Sequence, residues 1–355
     1  MAAHLGAWLS SEGPESDVVV SCRVRLARNV DGVRFVPKLS AEEALKLAER
    51  LRPVLAEARL DGETRWVDVA SASPLLRLLL LERNLASRDL VRPEVLDPLL
   101  PGRAVAFGAS ETVSVMINEE DHLRVQALAA GFDLDLAWDR ARNLDRYIED
   151  RVPFAVTPRL GYLTGCPTNV GTGLRASAML HLPALGLVRR ELEKVFAAAQ
   201  RTGLAVRGMH GEGSRAAGDL YQISNQITLG RSEAQLIEDL RALVPLIVDF
   251  ERKLRATLVE EMRAALTDRV TSSVAALRTA RSMPTDDALA HLSNVRLGVQ
   301  LGLTTAAPIG LLNVLGVQVQ KGHLQVLTAK SGDVALLETS ERDKLRAAYL
   351  RQRLG

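Results

Sequence analysis

Between Arg159 and Pro183 the chain reads RLGYLTGCPTNVGTGLRASAMLHLP, a turn-rich loop carrying one cysteine and then an arginine. Gly161, Gly165, Gly171 and Gly173 let the backbone take conformations closed to other residues and approach a ligand closely. Cys166 and Arg175 then stand at the edges of whatever the loop holds. Further arginines and acids sit in comparable surroundings: Arg23 and Arg25 in SCRVRLARN, Glu120 and Arg124 in INEEDHLRVQ, Arg207 and Glu212 in VRGMHGEG. Arginines grip phosphate oxygens through bidentate contacts. Phosphoryl transfer asks for that kind of help: donor phosphates clamped, spread charge neutralised, the acceptor held in line. Carboxylates facing the acceptor suit a guanidinium, which is always protonated and presents a planar fork. Two acids can orient it, and one can take its proton as the nitrogen attacks. Each residue also has a plain structural reading. Arg23 and Arg25 fit the solvated face of an edge strand, Glu120 and Glu212 fit surface acids, and Cys166 fits a small buried side chain.

Other signatures are missing. No G-x-x-x-x-G-K-[ST] occurs and no lysine sits in a glycine-rich loop, which excludes a P-loop. Gly171 to Ala176 matches the degenerate G-x-G-x-x-[GA] pattern, but a true dinucleotide fingerprint follows a strand directly. The six histidines are scattered and the cysteines unpaired, so no metal site built from protein ligands is expected. A net charge of +2 over 355 residues argues against a protein that coats nucleic acid. Only seven of the 45 basic residues are lysine, so arginines count where they converge. Cys22 and Cys166 are too few for a disulfide framework, and the N-terminus lacks the charged and apolar regions of a signal peptide, which points to the cytoplasm. The uncharged run between Arg296 and Lys321 is interrupted by Gln300, Pro308, Asn313, Gln318 and Gln320, so it reads as buried helices and not as a membrane span.

The elements that position these residues follow from periodicity. Residues 1–16 read as a short leader ending at the Gly13-Pro14 break. From Asp17 the pattern alternates, so Arg23 and Arg25 share one face of a strand while Cys22, Val24 and Leu26 take the other. A helix follows from Ser40 to about Arg59, with Ser40 and Glu43 as a capping box, and another spans roughly Ser73 to Asn84. AVAFG and TVSVMINEEDHLRVQAL read as two strands; if the second runs through the acidic patch, Asn118, Glu120, His122 and Arg124 share a face opposite Glu119 and Asp121. Helices at 133–150 and 187–201 precede the strands LAVRGM and DLYQISNQITLG. From Arg231 to Arg281 the pattern is almost continuously helical, and further helices fit 285–302, 308–320 and 340–354. This predicts an α+β catalytic domain over 17–250 and an all-helical domain over 251–355.

SCRVRLARN, INEEDHLRVQ, CPTNVGTGLRA, VRGMHGEG and LYQISNQITLG resemble, in order, blocks of the phosphagen (guanidino) kinases, which move the γ-phosphate of ATP onto a guanidinium nitrogen. The resemblance implies an antiparallel sheet flanked by helices. It implies ATP contacts from Ser21, Cys22, Arg23, Val24 and Arg25, from Arg124, from Arg175, Ala176, Ser177, Ala178 and Met179, and from Arg207, Gly208, Met209, His210, Gly211 and Glu212. Among these, Arg23, Arg25, Arg124, Arg175 and Arg207 fall on the arginines that hold the phosphates. Glu120 falls on the acid that engages the guanidinium, Glu212 on the acid of a closing loop, and Cys166 on the reactive cysteine beside the substrate. Mg2+ would be held mainly through the nucleotide. Two positions depart from the pattern: Cys22 stands where serine is expected, and Asn84 lies near a usual histidine.

The layout, with few residues before Arg23 and helices added after the catalytic blocks, resembles the bacterial protein arginine kinases of the McsB type. In SERDKLRAAYL, Ser340 and Asp343 read as a helix start, and Arg342 and Arg346 as a solvated basic stripe on one helical face. The same segment resembles a phosphoarginine-binding motif used for allosteric stimulation, formed by Arg342, Asp343, Arg346 and Ala347. The resemblance further implies protein substrates bearing arginine, a stress-gene repressor among them, a Clp-type unfoldase and protease downstream, a zinc-binding activator protein, and a homodimer. A kinase of free arginine or another small guanidine, and a non-catalytic phosphoarginine-binding protein, stand as alternatives.

Overall fold

The computed structural model describes residues 5–92, 99–208, 216–328 and 337–355. Its strands are β1 (Val19–Arg28), β2 (Arg65–Asp68), β3 (Ala104–Phe107), β4 (Val113–Ile117), β5 (Leu123–Ala130), β6 (Val156–Thr157), β7 (Gly161–Tyr162), β8 (Leu174–His181), β9 (Leu204–Gly208) and β10 (Leu220–Asn225). Eight of them form one sheet in the order β2-β3-β4-β5-β1-β8-β10-β9, with every neighbouring pair antiparallel. β6 and β7 make a small hairpin of their own. β1, in the middle, pairs with β5 on one side and β8 on the other.

Side chains alternate across a strand, and here the alternation divides apolar from polar. Cys22, Val24 and Leu26 of β1, Ala176 and Ala178 of β8, and Val125 and Ala127 of β5 all lie in the main hydrophobic core. Helices α1 (Ala41–Glu57), α4 (Leu134–Glu149) and the first half of α7 (Glu233–Thr279) lay their apolar stripes on that face, as does the helix at Arg189–Arg201. α1 opens with the expected capping box, Ser40 accepting from the Glu43 amide and Glu43 from that of Ser40. The short helices α2 (Pro74–Glu82) and α3 (Arg88–Val91) cover the β2–β4 edge on the opposite face, around Val105, Phe107 and Met116. α5 (Pro183–Leu187) and α6 (Arg189–Arg201) lead from β8 to β9; α6 is the helix expected over 187–201, and the short α5 precedes it.

The helical half is α8 (Thr285–Gln300), α9 (Ile309–Gln318), α10 (Lys321–Thr328) and α11 (Thr339–Leu354), which build a second core with the end of α7. α7 runs through the expected boundary at 250 and breaks its helical geometry only at Met262 (φ −134°, ψ 29°). Residues 5–16 pack onto the body: Trp8 and Leu9 are buried with Leu128 and Val317. α11 starts from Glu338, not Ser340, so Ser340 and Asp343 lie within its first turns.

The acidic run departs from the single strand expected of it. β4 ends at Ile117 and β5 begins at Leu123, so Asn118 to His122 form a turn, with Asn118 in the left-handed region (φ 53°) and its amide group donating to Ala44 O and Gly102 O, each at 3.0 Å. A turn suspends the two-residue alternation, so Glu119 and Glu120 both reach the same arginine.

At the end of β1, Arg28 is buried. Its Nη2 donates to Asp145 Oδ2 at 2.8 Å and its Nη1 to Thr172 O at 2.9 Å, while the guanidinium stacks 3.5 Å from the Tyr162 ring centroid. One cation thus ties α4, the hairpin and the loop before β8 together. Arg28→Met leaves Asp145 buried and unpaired, and should cost about 3–5 kcal/mol in denaturant unfolding; a loss below about 1 kcal/mol would contradict this role.

Candidate active site

Register places the arginines. In β1, Arg25 lies across from Gln126 of β5 and Arg175 of β8, and Arg23 lies across from Ser177. Directly opposed residues share a face, and so do residues two apart, which adds Arg124. Met179 pairs with Gln222 of β10, and Gln222 with Arg207 of β9. Arg23, Arg25, Arg124, Arg175 and Arg207 therefore project from one face, opposite the packed core. No hydrogen bond or salt bridge to the side chain of Arg23 or Arg25 exists among the described residues, and the Nε of each is buried without a partner. Burial, then the fields of Arg175 and Arg124, push Arg23 down to about 10. Burial and the charges of Arg23, Arg124 and Arg175 hold Arg25 well below the usual guanidinium range, and burial with Arg207 and Arg124 lowers Arg175. Such a surface is organised for a polyanion.

Arg124 anchors the acids. Its Nη1 donates to Glu119 Oε1 at 2.6 Å and its Nη2 to Glu120 Oε2 at 2.9 Å. Glu119 is fully buried, also accepts from Ser87 Oγ, and takes the Glu120 amide at 3.1 Å. Glu120, at 42% side-chain exposure, is the acid that remains open to a substrate. Asn169 of the cysteine loop donates to Glu120 Oε2 at 3.4 Å. Asp121 fastens that loop to the turn: its Oδ1 accepts from Gly165 N at 2.5 Å and Asn29 Nδ2 at 2.6 Å, and burial raises its pKa. Asn29 also donates to Leu163 O and accepts from His122 N. His122 Nδ1 accepts from Val30 N, so Nε2 carries the proton donated to Arg34 O at 2.7 Å; burial lowers the ring's pKa and keeps it neutral. Gly165 permits the approach, since a Cβ there would stand 2.7 Å from Glu120 O. Cys166 is partly exposed beside the turn, with Sγ 3.0 Å from Thr168 Oγ1.

Beyond Arg23 the same face opens into a cavity of about 320 Å³. Ser21, Arg23, Ser177, Met179 and Gln222 floor it; Trp8, Glu82, Asn84, Leu292 and Arg296 of α8, Val317 of α9 and Gln320 just beyond it wall it. About 300–1,000 Å³ is the usual range of small-molecule sites.

Comparison with known proteins fits this geometry. The model of the ATP:guanido phosphotransferase C-terminal catalytic domain matches residues 46–254, and that of the protein-arginine kinase McsB C-terminal domain matches 263–355. The protein-arginine kinase of Bacillus subtilis (strain 168) is 40% identical over 352 residues, covering 99% of this chain and 93% of that protein. That of Symbiobacterium thermophilum is 41% identical over 351 residues, covering 98% and 96%. The chain belongs to the ATP:guanido phosphotransferase family, in its protein-arginine kinase branch. It is a phosphotransferase. A solved lombricine kinase shares 26% identity with a TM-score of 0.59, covering 72% of this chain and 71% of that one. The duplicated taurocyamine kinase from Schistosoma mansoni with bound transition state analog components gives 26% and 0.59, covering 74% and 38%.

Of the residues singled out from the sequence of this family member, Ser21, Arg23, Arg25, Arg124, Arg175, Ser177, Met179 and Arg207 meet on one face. The side chains of Cys22, Val24, Ala176 and Ala178 point into the core, and burial pushes the Cys22 thiol up. Gly208 lines the cavity. Met209, His210, Gly211 and Glu212 lie outside the described residues. Gly171 to Ala176 leads into a strand and not a helix, so it is no dinucleotide fingerprint. In the C-terminal motif Arg342 is partly exposed and bonded to Leu337 O and Thr339, whereas Arg346 and Ala347 are buried. Arg346 donates to Val319 O, Met283 O and Asp343 Oδ1 at 2.6–2.7 Å, so the expected solvated stripe does not form. Sequence reasoning missed Glu119, Asp121, Arg28 and Asn29, although the two quoted blocks contain all four.

The unpaired guanidinium groups of Arg23 and Arg25 predict a trade between stability and binding. Arg25→Met should stabilise the free protein by on the order of 1 kcal/mol, seen as a higher melting point, because it removes a buried unpaired cation. The same change should abolish the rise that inorganic triphosphate gives the wild type. A destabilised variant that still responds to triphosphate would contradict the assignment.

Proposed function

We propose that this enzyme transfers the γ-phosphate of ATP to the guanidinium of arginine residues in proteins. The observation that carries the proposal is the convergence of five arginines on one sheet face beside the Glu120 turn and the Cys166 loop, in a chain 40% identical over nearly its whole length to a protein-arginine kinase. ATP lies along β1 and β8, with its γ-phosphate among Arg25, Arg124 and Arg175 and its nucleoside in the cavity beyond Arg23. The substrate guanidinium sits against Glu120 beside the cysteine loop. As its nitrogen attacks phosphorus, the P–O bond to ADP breaks and a guanidinium proton passes to Glu120. Arg124 holds Glu120 in place for both tasks. Glu212 is the second acid by sequence resemblance, and Cys166 flanks the acceptor. Mg2+, bound with the nucleotide, would supply charge neutralisation at its phosphates and would take most of its ligands from them and from water; Glu120, the half-open carboxylate of the turn, is the side chain that could hold such a water. The described residues contain no group of three or more His, Cys, Asp or Glu side chains able to hold a metal ion.

The same resemblance supports the wider role: marking proteins for a Clp-type protease, inactivating a stress-gene repressor, dependence on a zinc-binding activator, dimer formation and a cytoplasmic setting. No helix among the described residues is long and apolar enough to cross a membrane. Arg342, Asp343, Arg346 and Ala347 form the proposed phosphoarginine site. Because Arg346 is bonded to Val319 O and Met283 O, occupancy by phosphoarginine would require it to exchange those partners.

With γ-labelled ATP and an arginine-bearing protein, the wild type should place acid-labile label on the protein, and excess free arginine should not compete. Glu120→Gln should lower kcat about 10²–10⁴-fold. Label confined to free arginine would instead assign a metabolite kinase.

A further inference from the structure

The segment before β1 is not a loose leader. Trp8 and Leu9, in a short 3-10 turn (Ala7–Leu9), both line the cavity beyond Arg23. They pack on Leu128 of β5 and Val317 of α9. Leu128 lies directly across from Arg23 in the β1–β5 register, so it stands on the arginine-bearing face. Trp8 therefore closes the cavity on its β5 side, one side chain away from Arg23. Hydrogen bonds fix the segment to both halves of the molecule. Ala7 N donates to Ser110 O, between β3 and β4, at 2.9 Å; Asn313 Nδ2 of α9 donates to Leu9 O at 3.1 Å, and Arg296 Nη2 of α8 to Ser16 O at 3.0 Å.

Gly6 sets the orientation of the indole. A Cβ on Gly6 would stand 2.4 Å from Trp8 Nε1 and 2.5 Å from Cδ1, so the pyrrole edge lies against that backbone, where Nε1 is buried. The indole surface left for the cavity is carbon. Leu289 and Leu292 of α8 and Val317 of α9 line the same cavity, whose floor carries Ser21, Arg23 and Gln222. A charged, hydrogen-bonding floor under an apolar wall suits a ligand with an anionic end and a flat aromatic end.

We propose that Trp8 is a nucleobase-binding residue: the planar base of ATP packs on the carbon surface of the indole, so that the N-terminal segment and the helical half complete the nucleotide site that the sheet begins. Contacts of this kind add affinity for a flat aromatic ring without reading its hydrogen-bonding edge. This rests on the ATP reading above, with the phosphates directed toward Glu120 and the nucleoside beyond Arg23.

The test separates base from phosphates by comparing ATP with inorganic triphosphate, which carries the charge without a base. In the wild type, saturating ATP should slow amide exchange of residues 7–10 about fivefold or more beyond what saturating triphosphate does. Trp8→Leu keeps the position apolar. It should weaken ATP binding about three- to tenfold and leave the Kd of triphosphate within about twofold of the wild type. A purely structural Trp8 would instead shift both ligands together or neither. Equal protection by the two ligands in the wild type, or an unchanged ratio of the two Kd values in a folded Trp8→Leu, would overturn the inference while leaving phosphotransfer intact. Failure of the wild type to bind ATP would count against the function proposed above. The exchange measurement needs no variant, so it decides the matter even where Trp8→Leu fails to fold.

Discussion

Arg25 lies directly across from Arg175, and the antiparallel pairing of β1 with β8 leaves neither side chain a choice of face. A one-residue slip would bury both arginines among Val24, Ala176 and the α4 stripe, which the apolar face forbids. The same hydrophobic constraint that fixes register thus fixes a set of like charges at close quarters. Burial and then their mutual repulsion lower the affinity of Arg23, Arg25 and Arg175 for their protons, a local cost to the free protein. A rigid sheet tolerates this because the core on its other face is large. Preorganised charge of this kind needs no rearrangement when phosphate arrives, which is where electrostatic catalysis gains most.

Loops complete what the sheet begins, and buried polar side chains set their positions. Asn29 and Asp121 knot the acidic turn to the cysteine loop, while Arg28 ties the other end of that loop to α4. Arg124 belongs to both systems: it stands on the sheet with the arginines proposed to hold the phosphates and holds the two acids of the turn. In the proposed mechanism its position sets the distance between phosphate and acceptor. In the helical half, Glu82 at the end of α2 accepts from Gly322 N and His323 N at the start of α10 and also lines the cavity. Val319, just before α10, is held by Arg346 of the C-terminal motif. A ligand at that motif would therefore act on a corner that borders the proposed nucleotide site.

The strand alternation around Arg23 and Arg25 and the capped helix at Ser40 were legible in the sequence, because each is a local pattern with a local cause. Five spaced blocks resembling one family made the chemistry legible as well. The acidic run was not legible as a turn. Nothing in INEEDHL marks a break, and it is Asn118, bonded to Ala44 and Gly102 far away in the chain, that sustains the left-handed residue. Glu119 was placed on the wrong face for that reason. β8 was read as loop because glycines precede it and its alanines look neutral. Arg346 was read as solvated because periodicity within α11 cannot reveal that α9 and the segment before α8 close over it.

The most direct test of the central claim is a crystal structure with ADP, nitrate as a planar stand-in for the transferring phosphoryl group, and an arginine-bearing peptide. The account predicts nitrate among Arg25, Arg124 and Arg175, with the peptide guanidinium on Glu120 in line with it and the adenosine in the cavity beyond Arg23. Nucleotide phosphates bound away from this face, or a guanidinium that does not contact Glu120, would contradict it.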